Sequence, residues 1–262
     1  MSLRRRLLSA ILLIPLVLAS VYFGGWFYFA IFSAALLLAG WEFFRLTANA
    51  GNATQPALGL GLIALWLMSA VMPAINAREI IIAMLALSLI RAIFQPRANW
   101  LTGWALTFAG ALYVGAFGSY ILALRALPNG LMWVTITLFA TWATDSFAFL
   151  FGTLFGRTPF FQHISPKKTW EGAIGGWGGA ISAGWLLGSL YGLDPFLMSG
   201  FGFGIGILAT IGDLVESLIK RQVGAKDSGA IVPGHGGALD RLDSLLFTFP
   251  FAFYFVTVLF NR

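Results

Sequence analysis

Charged residues are scarce and cysteine is missing from this 262-residue sequence. Only 10% of the residues are charged, against roughly 25% in soluble domains, and 59% are apolar. With a mean hydropathy of +0.85, this composition excludes a water-soluble globular domain. The lack of cysteine excludes a disulfide framework, a thiolate metal site and a cysteine nucleophile, so any metal ion needs oxygen or nitrogen ligands. The net charge of +6 rests on few residues, and nucleic-acid binding is not expected.

Long apolar runs fill most of the chain. A helix needs about 20 mostly apolar residues to cross a bilayer, and the runs between Gly, Pro, Asn and charged residues predict nine such spans. Their approximate limits are 7–23, 26–46, 56–75, 79–95, 100–124, 129–156, 171–192, 196–219 and 240–260. We therefore predict an all-α, polytopic integral membrane protein.

The basic residues indicate how these spans are oriented. Arg4–Arg6 precede a long apolar run without a clean cleavage site of small residues, which favours a retained anchor over a signal peptide. If that triplet is cytoplasmic, all of the 16 Lys and Arg residues except Arg78, Arg125 and Arg262 fall on the cytoplasmic side. This distribution follows the positive-inside rule and predicts a cytoplasmic N-terminus.

Six of the ten acidic residues flank two long polar connectors on the cytoplasmic side, at roughly 157–170 and 220–239. Loops of this kind carry function more often than simple linkage. Asp145 differs from these acids because it lies within a predicted span, where a carboxylate is unfavourable unless it faces a polar cavity, a cation or a partner. Asp145 is therefore a candidate site residue.

Asp240 and Asp243 stand three residues apart at the start of the ninth predicted span and share one helix face. One interpretation is a helix cap, in which the acids accept hydrogen bonds from free N–H groups. The other is a pair of hard oxygen ligands for Mg²⁺, which usually takes one or two carboxylates together with substrate phosphate. The spacing is compatible with both.

The eighth predicted span ends with acidic, polar and basic groups on one face. Asp213, Glu216 or Ser217, and Lys220 follow one another at helical spacing. One explanation is a ladder of ion pairs within the helix. The other is a site where acids bind a cation and nearby bases bind polyphosphate, as in phosphoryl transfer. The bases available for phosphate are Lys220, Arg221, Lys226 and Arg241.

His235 lies in the run P-G-H-G-G, whose glycines let backbone N–H groups approach an anion. A histidine in such a loop can be a base or a hydrogen-bonding support, and both interpretations stay open. A second glycine-rich run, at 172–179, has small residues four apart, which favours close helix packing over a phosphate nest.

Residues 217–243 resemble the signature of the phosphatidate cytidylyltransferases, also called CDP-diacylglycerol synthases. This segment reads S-L-I-K-R-Q-V-G-A-K-D-S-G-A-I-V-P-G-H-G-G-A-L-D-R-L-D. The upstream G-D-L-V-E-S, the loop S-P-K-K-T-W-E-G at 165–172 and the aromatic-glycine stretch after Asp145 are also similar to this family. The resemblance is strong in the C-terminal half and rests on hydropathy alone in the N-terminal half.

The resemblance implies transfer of a cytidylyl group from CTP to phosphatidic acid with Mg²⁺, giving CDP-diacylglycerol and pyrophosphate for phospholipid biosynthesis. The catalytic residues it implies are Lys220, Arg221, Lys226, Asp227, His235 and Arg241. The substrate-binding residues it implies are Ser165, Lys167, Lys168, Ser217, Gly236 and Gly237. The metal ligands expected are Asp213, Asp240 and Asp243, with Asp145 as a further candidate.

The active site is expected at the cytoplasmic face of residues 129–262, while residues 1–128 supply the N-terminal transmembrane helices. A bacterial inner membrane is the expected location, and a homodimer and a monovalent cation beside Mg²⁺ are left open. A CTP-dependent lipid kinase and an ion-coupled transporter are the competing functions. The signature spacing disfavours the kinase. The transporter is disfavoured because most ionisable groups gather on one side rather than at the membrane midplane.

Overall fold

The chain is all-helical in a computed structural model that describes residues 3–72, 74–94, 99–229 and 236–260. The helices are α1 Leu3–Phe23, α2 Gly25–Asn49, α3 Pro56–Ser69, α4 Ala77–Phe94, α5 Trp100–Gly110, α6 Phe117–Ala126, α7 Gly130–Phe155, α8 Trp170–Leu190, α9 Pro195–Gln222 and α10 Leu239–Leu259. A π-helical segment, Ala111–Ala116, joins α5 to α6. Within these described ranges there is no β-strand, and an isolated antiparallel bridge pairs Pro159 with Thr169.

Five helical segments of the described chain are long and apolar enough to cross a membrane. They are Gly25–Asn49, Trp100–Ala126, Gly130–Phe155, Pro195–Gln222 and Leu239–Leu259. Helices occupy all nine segments predicted as spans, and the all-α class with several membrane-spanning helices is confirmed in this coarser form. The count of nine spans and the cytoplasmic N-terminus remain predictions. The helix α8 is 21 residues long but rich in glycine, which lowers its hydropathy, and it is not among the five.

The helices form two compact units that interleave along the chain. The first unit combines Met1–Ala123 with Gln222–Leu242, and the second combines Leu124–Arg221 with Asp243–Arg262. The signature segment therefore contributes to both units. The division of the sequence at residue 128 into two functional halves remains a prediction.

In the first unit, α2 packs against α1, α3, α5 and the π-helical segment. Gly59 of α3 lies so close to the buried Phe44 ring of α2 that a Cβ atom at this glycine would collide with the ring. The Tyr28 hydroxyl of α2 donates a hydrogen bond to the Ile121 carbonyl at 2.9 Å. Because α2 is fixed by these neighbours, the acid that it carries, Glu42, has a defined place in the unit.

In the second unit, α7 and α8 pack along each other. The glycines of α8 receive aromatic side chains of α7, so that a Cβ atom at Gly175 would lie 2.5 Å from Phe151 and one at Gly179 would lie 2.7 Å from Phe147. The helix-packing role predicted for the glycine run at 172–179 is thereby confirmed. This packing also fixes the two ends of the connecting loop at residues 156–169, which carries several of the predicted site residues.

Candidate active site

A lysine of the α7–α8 loop meets an acid of α9 in the second unit. Lys168 Nζ lies 2.8 Å from Asp213 Oδ2, and the Ser217 hydroxyl, one turn further along α9, donates to Asp213 Oδ1 at 3.3 Å. The side chains of Lys168 and Asp213 are 23% and 37% exposed, so solvent reaches the pair. The structure thus brings together three predicted site residues from two separate stretches of sequence.

Lys220 pairs with Glu216, which lies one turn earlier on α9. The Glu216 side chain is only 1% exposed and that of Lys220 is 14% exposed. The ladder predicted within this helix is therefore confirmed for Glu216 and Lys220, whereas Asp213 pairs with the loop lysine. Because both side chains are largely buried, the Glu216 carboxylate holds the Lys220 ammonium in place at the end of α9.

Asp243 lies near two other acids of the second unit. Its charge interacts with those of Asp213 and Asp145 and with the opposite charge of Lys220, and its Oδ1 accepts a hydrogen bond from the Ser244 N–H at 2.7 Å. The helix α9 approaches the backbone of Asp243 at Gly212, where a Cβ atom would lie 2.5 Å from the Asp243 carbonyl oxygen. Like charges gathered in this way repel each other, and the arrangement favours binding of a cation.

The chemistry of these carboxylates fits a magnesium ion. Mg²⁺ prefers hard oxygen ligands and usually takes one or two carboxylates, keeping its other positions for water and substrate phosphate. Asp145, Asp213 and Asp243 offer such oxygens. Across the described part of the chain, no group of three or more His, Asp or Glu side chains is gathered tightly enough to hold a metal ion by itself.

Asp240 binds to the loop that precedes α10 in the first unit. Its Oδ2 accepts hydrogen bonds from the Gly237 N–H at 2.7 Å, the Ser228 hydroxyl at 2.8 Å and the Ser228 N–H at 3.2 Å. Gly236 has a φ of +83°, and a Cβ atom there would lie 2.6 Å from Asp240 Oδ2. Of these bonds, only the one from Gly237 is of the local kind found at helix starts. A helix cap alone does not account for the contacts with Ser228.

Glu42 of α2 is fully buried in the first unit and was not among the predicted site residues. Its Oε2 accepts hydrogen bonds from the Leu239 N–H at 2.9 Å and from the Ser228 hydroxyl at 3.2 Å. The signal was present in the sequence, because an acid inside a predicted span marks Glu42 as much as it marks Asp145. Its partner could not be read, since 186 residues separate Glu42 from Ser228.

Glu171, in the first turn of α8, shapes the α7–α8 loop. Its carboxylate accepts hydrogen bonds from the Thr158 hydroxyl at 2.8 Å and from the N–H groups of Arg157 and Thr158, both at 3.1 Å. Its own backbone N–H, the Thr158 hydroxyl and the Arg157 N–H lower the pKa of Glu171 from 4.5 to about 2. The Thr169 hydroxyl caps α8 by accepting the Gly172 N–H at 3.2 Å. The loop is thus anchored at both ends.

The other predicted residues lie in the same loop or on exposed surface. Arg221 Nε donates to the Ile164 carbonyl at 3.3 Å, which ties the end of α9 to the α7–α8 loop. Ser165 belongs to this loop, and its carbonyl accepts the Lys168 N–H at 3.2 Å. The exposed residues among those predicted include Lys167, Lys226, Asp227 and Arg241. His235 lies outside the described residues.

Comparison with known proteins identifies the family. The sequence profile of the cytidylyltransferase family matches residues 4–259. The chain is 34% identical to a phosphatidate cytidylyltransferase of Synechocystis sp. over 97% of both chains, and 34% identical to one of Brucella abortus over 94% of this chain and 90% of the other. It is 36% identical to phosphatidate cytidylyltransferase 5, chloroplastic, of Arabidopsis thaliana over 89% of this chain and 66% of that protein. Because these matches extend through both halves of the sequence, the chain belongs to the cytidylyltransferase family.

Proposed function

We propose that this chain transfers the cytidylyl group of CTP to phosphatidic acid, forming CDP-diacylglycerol and releasing pyrophosphate. The observation that carries the proposal is the similarity, over nearly the whole chain, to enzymes named phosphatidate cytidylyltransferase. The site chemistry supports it, because acids and bases stand side by side in the second unit. Such a site can hold a cation and phosphate groups together.

The reaction joins two anions. An oxygen of the lipid phosphate attacks the α-phosphorus of CTP, and the bond from this phosphorus to the oxygen bridging the α- and β-phosphates breaks. Pyrophosphate then leaves with the electron pair of that bond. The nucleophile is already anionic, so no strong protein base is needed and the main obstacle is electrostatic repulsion. Positive groups near the reacting phosphates reduce this repulsion, and we assign that role to Lys168, Lys220 and Arg221.

The acids are assigned to magnesium binding. Asp213 and Asp243 are the ligands proposed from the second unit, with Asp145 as a further candidate there, and Asp240 is the ligand proposed from the first unit. Mg²⁺ bound to such oxygens neutralises charge on the triphosphate and polarises its phosphorus centres. The pair formed by Lys168 and Asp213 keeps a base and an acid together at a place that solvent reaches. Lys168 can therefore turn from the carboxylate to a phosphate group when CTP binds.

We also propose nine spans with a cytoplasmic N-terminus in a bacterial inner membrane, and an active site facing the cytoplasm. The distribution of basic residues supports this orientation. Single cysteines can be introduced without background because the sequence contains none. Cysteines near Gln162 and Gly224 should react from the cytoplasmic side, and those near Asn76 and Asn129 from the opposite side. If Gly224→Cys reacts from the opposite side alone, the proposal of an active site facing the cytoplasm is wrong.

The bond that breaks separates this function from its alternatives. Purified protein in detergent is given CTP labelled in either the α- or the γ-phosphate. Only the α label should enter lipid, and only when phosphatidic acid is present, because a cytidylyltransferase expels the β- and γ-phosphates together. Transfer of the γ label, or use of a neutral lipid alcohol, would instead identify a lipid kinase. Absence of transfer by folded protein would favour the transport alternative.

A further inference from the structure

Ser228 stands between two carboxylates of the first unit. Its hydroxyl oxygen lies 3.2 Å from Glu42 Oε2 and 2.8 Å from Asp240 Oδ2, and it accepts the Asp240 N–H at 3.3 Å. A serine hydroxyl has one proton and donates to one acceptor at a time. Ser228 is only 5% exposed, so water has little access to replace either contact. Glu42 and Asp240 are therefore linked through one shared hydroxyl.

The loop backbone packs directly against the Glu42 carboxylate at two glycines, Gly229 and Gly237. A Cβ atom at Gly229 would collide with Glu42 Oε1, and one at Gly237 would collide with Glu42 Oε2 and the Ser228 hydroxyl. The Leu239 N–H also donates to Oε2, at 2.9 Å. Gly229, Gly237 and Leu239, the first residue of α10, thus all contact the buried side chain of Glu42.

The Leu239 N–H and the Ser228 hydroxyl both donate to Oε2 of Glu42, and the Ala238 N–H is a further donor to this carboxylate. Oε1 is buried and has no hydrogen-bond partner within the described residues. Oε2 is therefore the atom through which Glu42 contacts both the loop and the first turn of α10.

We infer that Glu42 is a positioning residue for Asp240. By accepting the Ser228 hydroxyl and the Leu239 N–H, it fixes the loop ahead of α10 and the first turn of that helix, and so the direction of the Asp240 carboxylate. This inference rests on the proposed function, which makes Asp240 part of the magnesium site. It extends the active site to α2, a helix in the half of the sequence where no signature motif lies.

Substitutions of Glu42 separate acceptor geometry from charge. In Glu42→Gln the amide oxygen can take both hydrogen bonds and the amide nitrogen takes the place of Oε1, so the half-saturating Mg²⁺ concentration should stay within about threefold of the unmodified protein. In Glu42→Ala that concentration should rise about 10-fold or more, since bonds to a charged group are lost. Ser228→Ala should resemble Glu42→Ala, and the double variant should be no worse than the more severe single one. If Glu42→Gln is as impaired as Glu42→Ala, the charge matters and the positioning role is wrong.

A second measurement does not depend on activity. Ala238 is 7% exposed and lies between the loop and α10, so an Ala238→Cys probe should react slowly with a maleimide. Adding Glu42→Ala should speed this reaction about tenfold by loosening the loop, whereas adding Glu42→Gln should not. The matched control is Thr47→Val, also buried on α2, whose hydroxyl bonds to the Phe43 and Phe44 carbonyls of its own helix. It should change neither the labelling rate nor the magnesium dependence.

The two measurements fail in different ways. If Glu42→Ala leaves the labelling rate unchanged, Glu42 does not hold the loop and the inference is overturned. If labelling responds as expected but no variant and no unmodified protein transfers cytidylyl groups, the loop contact stands and the proposed function is wrong. If Glu42→Ala does not fold, Ser228→Ala and Glu42→Gln provide the same contrast in milder form.

Discussion

Glu42 and Asp240 of the first unit and Asp213 of the second unit are held by different kinds of donor. In the first unit, Glu42 and Asp240 accept hydrogen bonds from uncharged donors, namely backbone N–H groups and one hydroxyl. In the second unit, Asp213 pairs with the ammonium group of Lys168 at a place open to solvent. Uncharged donors fix the direction of a carboxylate, whereas a partly exposed ammonium can exchange a carboxylate for a phosphate. The comparison therefore suggests that the first unit orients its groups and the second binds and exchanges charged ligands.

The largest expected effect concerns the acids assigned to magnesium. Asp240→Asn keeps an oxygen that can accept from Gly237 and Ser228, so the fold should survive while the charge is lost. Cytidylyl transfer should fall by about 10³-fold, because electrostatic stabilisation of the reacting phosphates is lost. Asp243→Asn should behave alike.

Turnover and thermal unfolding in detergent check this expectation together. Near-normal activity of either Asn variant at limiting Mg²⁺ would show that the residue serves the helix start rather than a metal ion. Such a result for Asp240 alone would limit the magnesium assignment to acids of the second unit.

The buried pair of Glu216 and Lys220 tests whether an ion pair in the second unit can also be structural. Glu216→Gln removes the buried carboxylate that pairs with Lys220, while the charge of Asp243 still acts on this lysine, and should lower the free energy of unfolding by about 1–3 kcal/mol. The double variant Glu216→Gln/Lys220→Met should recover much of that stability but not the activity, if Lys220 acts on phosphate. Chemical denaturation and the α-label assay measure the two effects separately. Full activity in the double variant would make the pair purely structural.

Lys168 is the opposite case, because its pair with Asp213 is partly exposed. Lys168→Gln should change the free energy of unfolding by less than about 1 kcal/mol. The KM for CTP or phosphatidic acid should nevertheless rise about tenfold, since a charged contact to phosphate is lost. Arg157→Gln, on an exposed residue of the same loop that is not among the predicted site residues, is the matched control for a change of charge. A large loss of stability with unchanged KM would contradict the exchange role given to this region.

The sequence predicted the helices more closely than their ends and irregularities. The span predicted at 129–156 is the helix Gly130–Phe155, because a long apolar run between polar residues leaves little choice. The span predicted at 56–75 ends earlier, at Ser69, since hydropathy indicates an apolar run but not the residue at which a helix ends. The π-helical segment at Ala111–Ala116 was not predicted. Its wider hydrogen-bonded turns leave no mark in the sequence, because the residues stay apolar throughout the run.

The candidate site was predictable as a set of residue types but not as a set of contacts. The signature segment indicates Asp240, and the two neighbouring stretches that resemble the same family indicate Asp213 and Lys168. The partners of these residues depend on how distant stretches of chain fold together, as when Ser228 meets Glu42 across 186 residues. A motif describes a local run of sequence, so a supporting residue on another helix carries no local mark beyond being a charged residue in an apolar span.

The smallest expected effect concerns Glu171, whose carboxylate is held by neutral donors although it lies in the second unit. Its pKa of about 2 is below the ordinary value of 4.5, so its contribution to stability is fully present above pH 4.5 and is lost as the pH falls toward 2. Glu171→Gln should therefore melt at a lower temperature than the unmodified protein at pH 6, and the difference should shrink steadily between pH 4.5 and pH 2. The comparison isolates this group, because every other acid titrates alike in both proteins. A melting-temperature difference that persists at pH 2 would show that the shape of the Glu171 side chain, rather than its charge, anchors the α7–α8 loop. Glu171 would then serve mainly as an acceptor of fixed geometry, as proposed for Glu42.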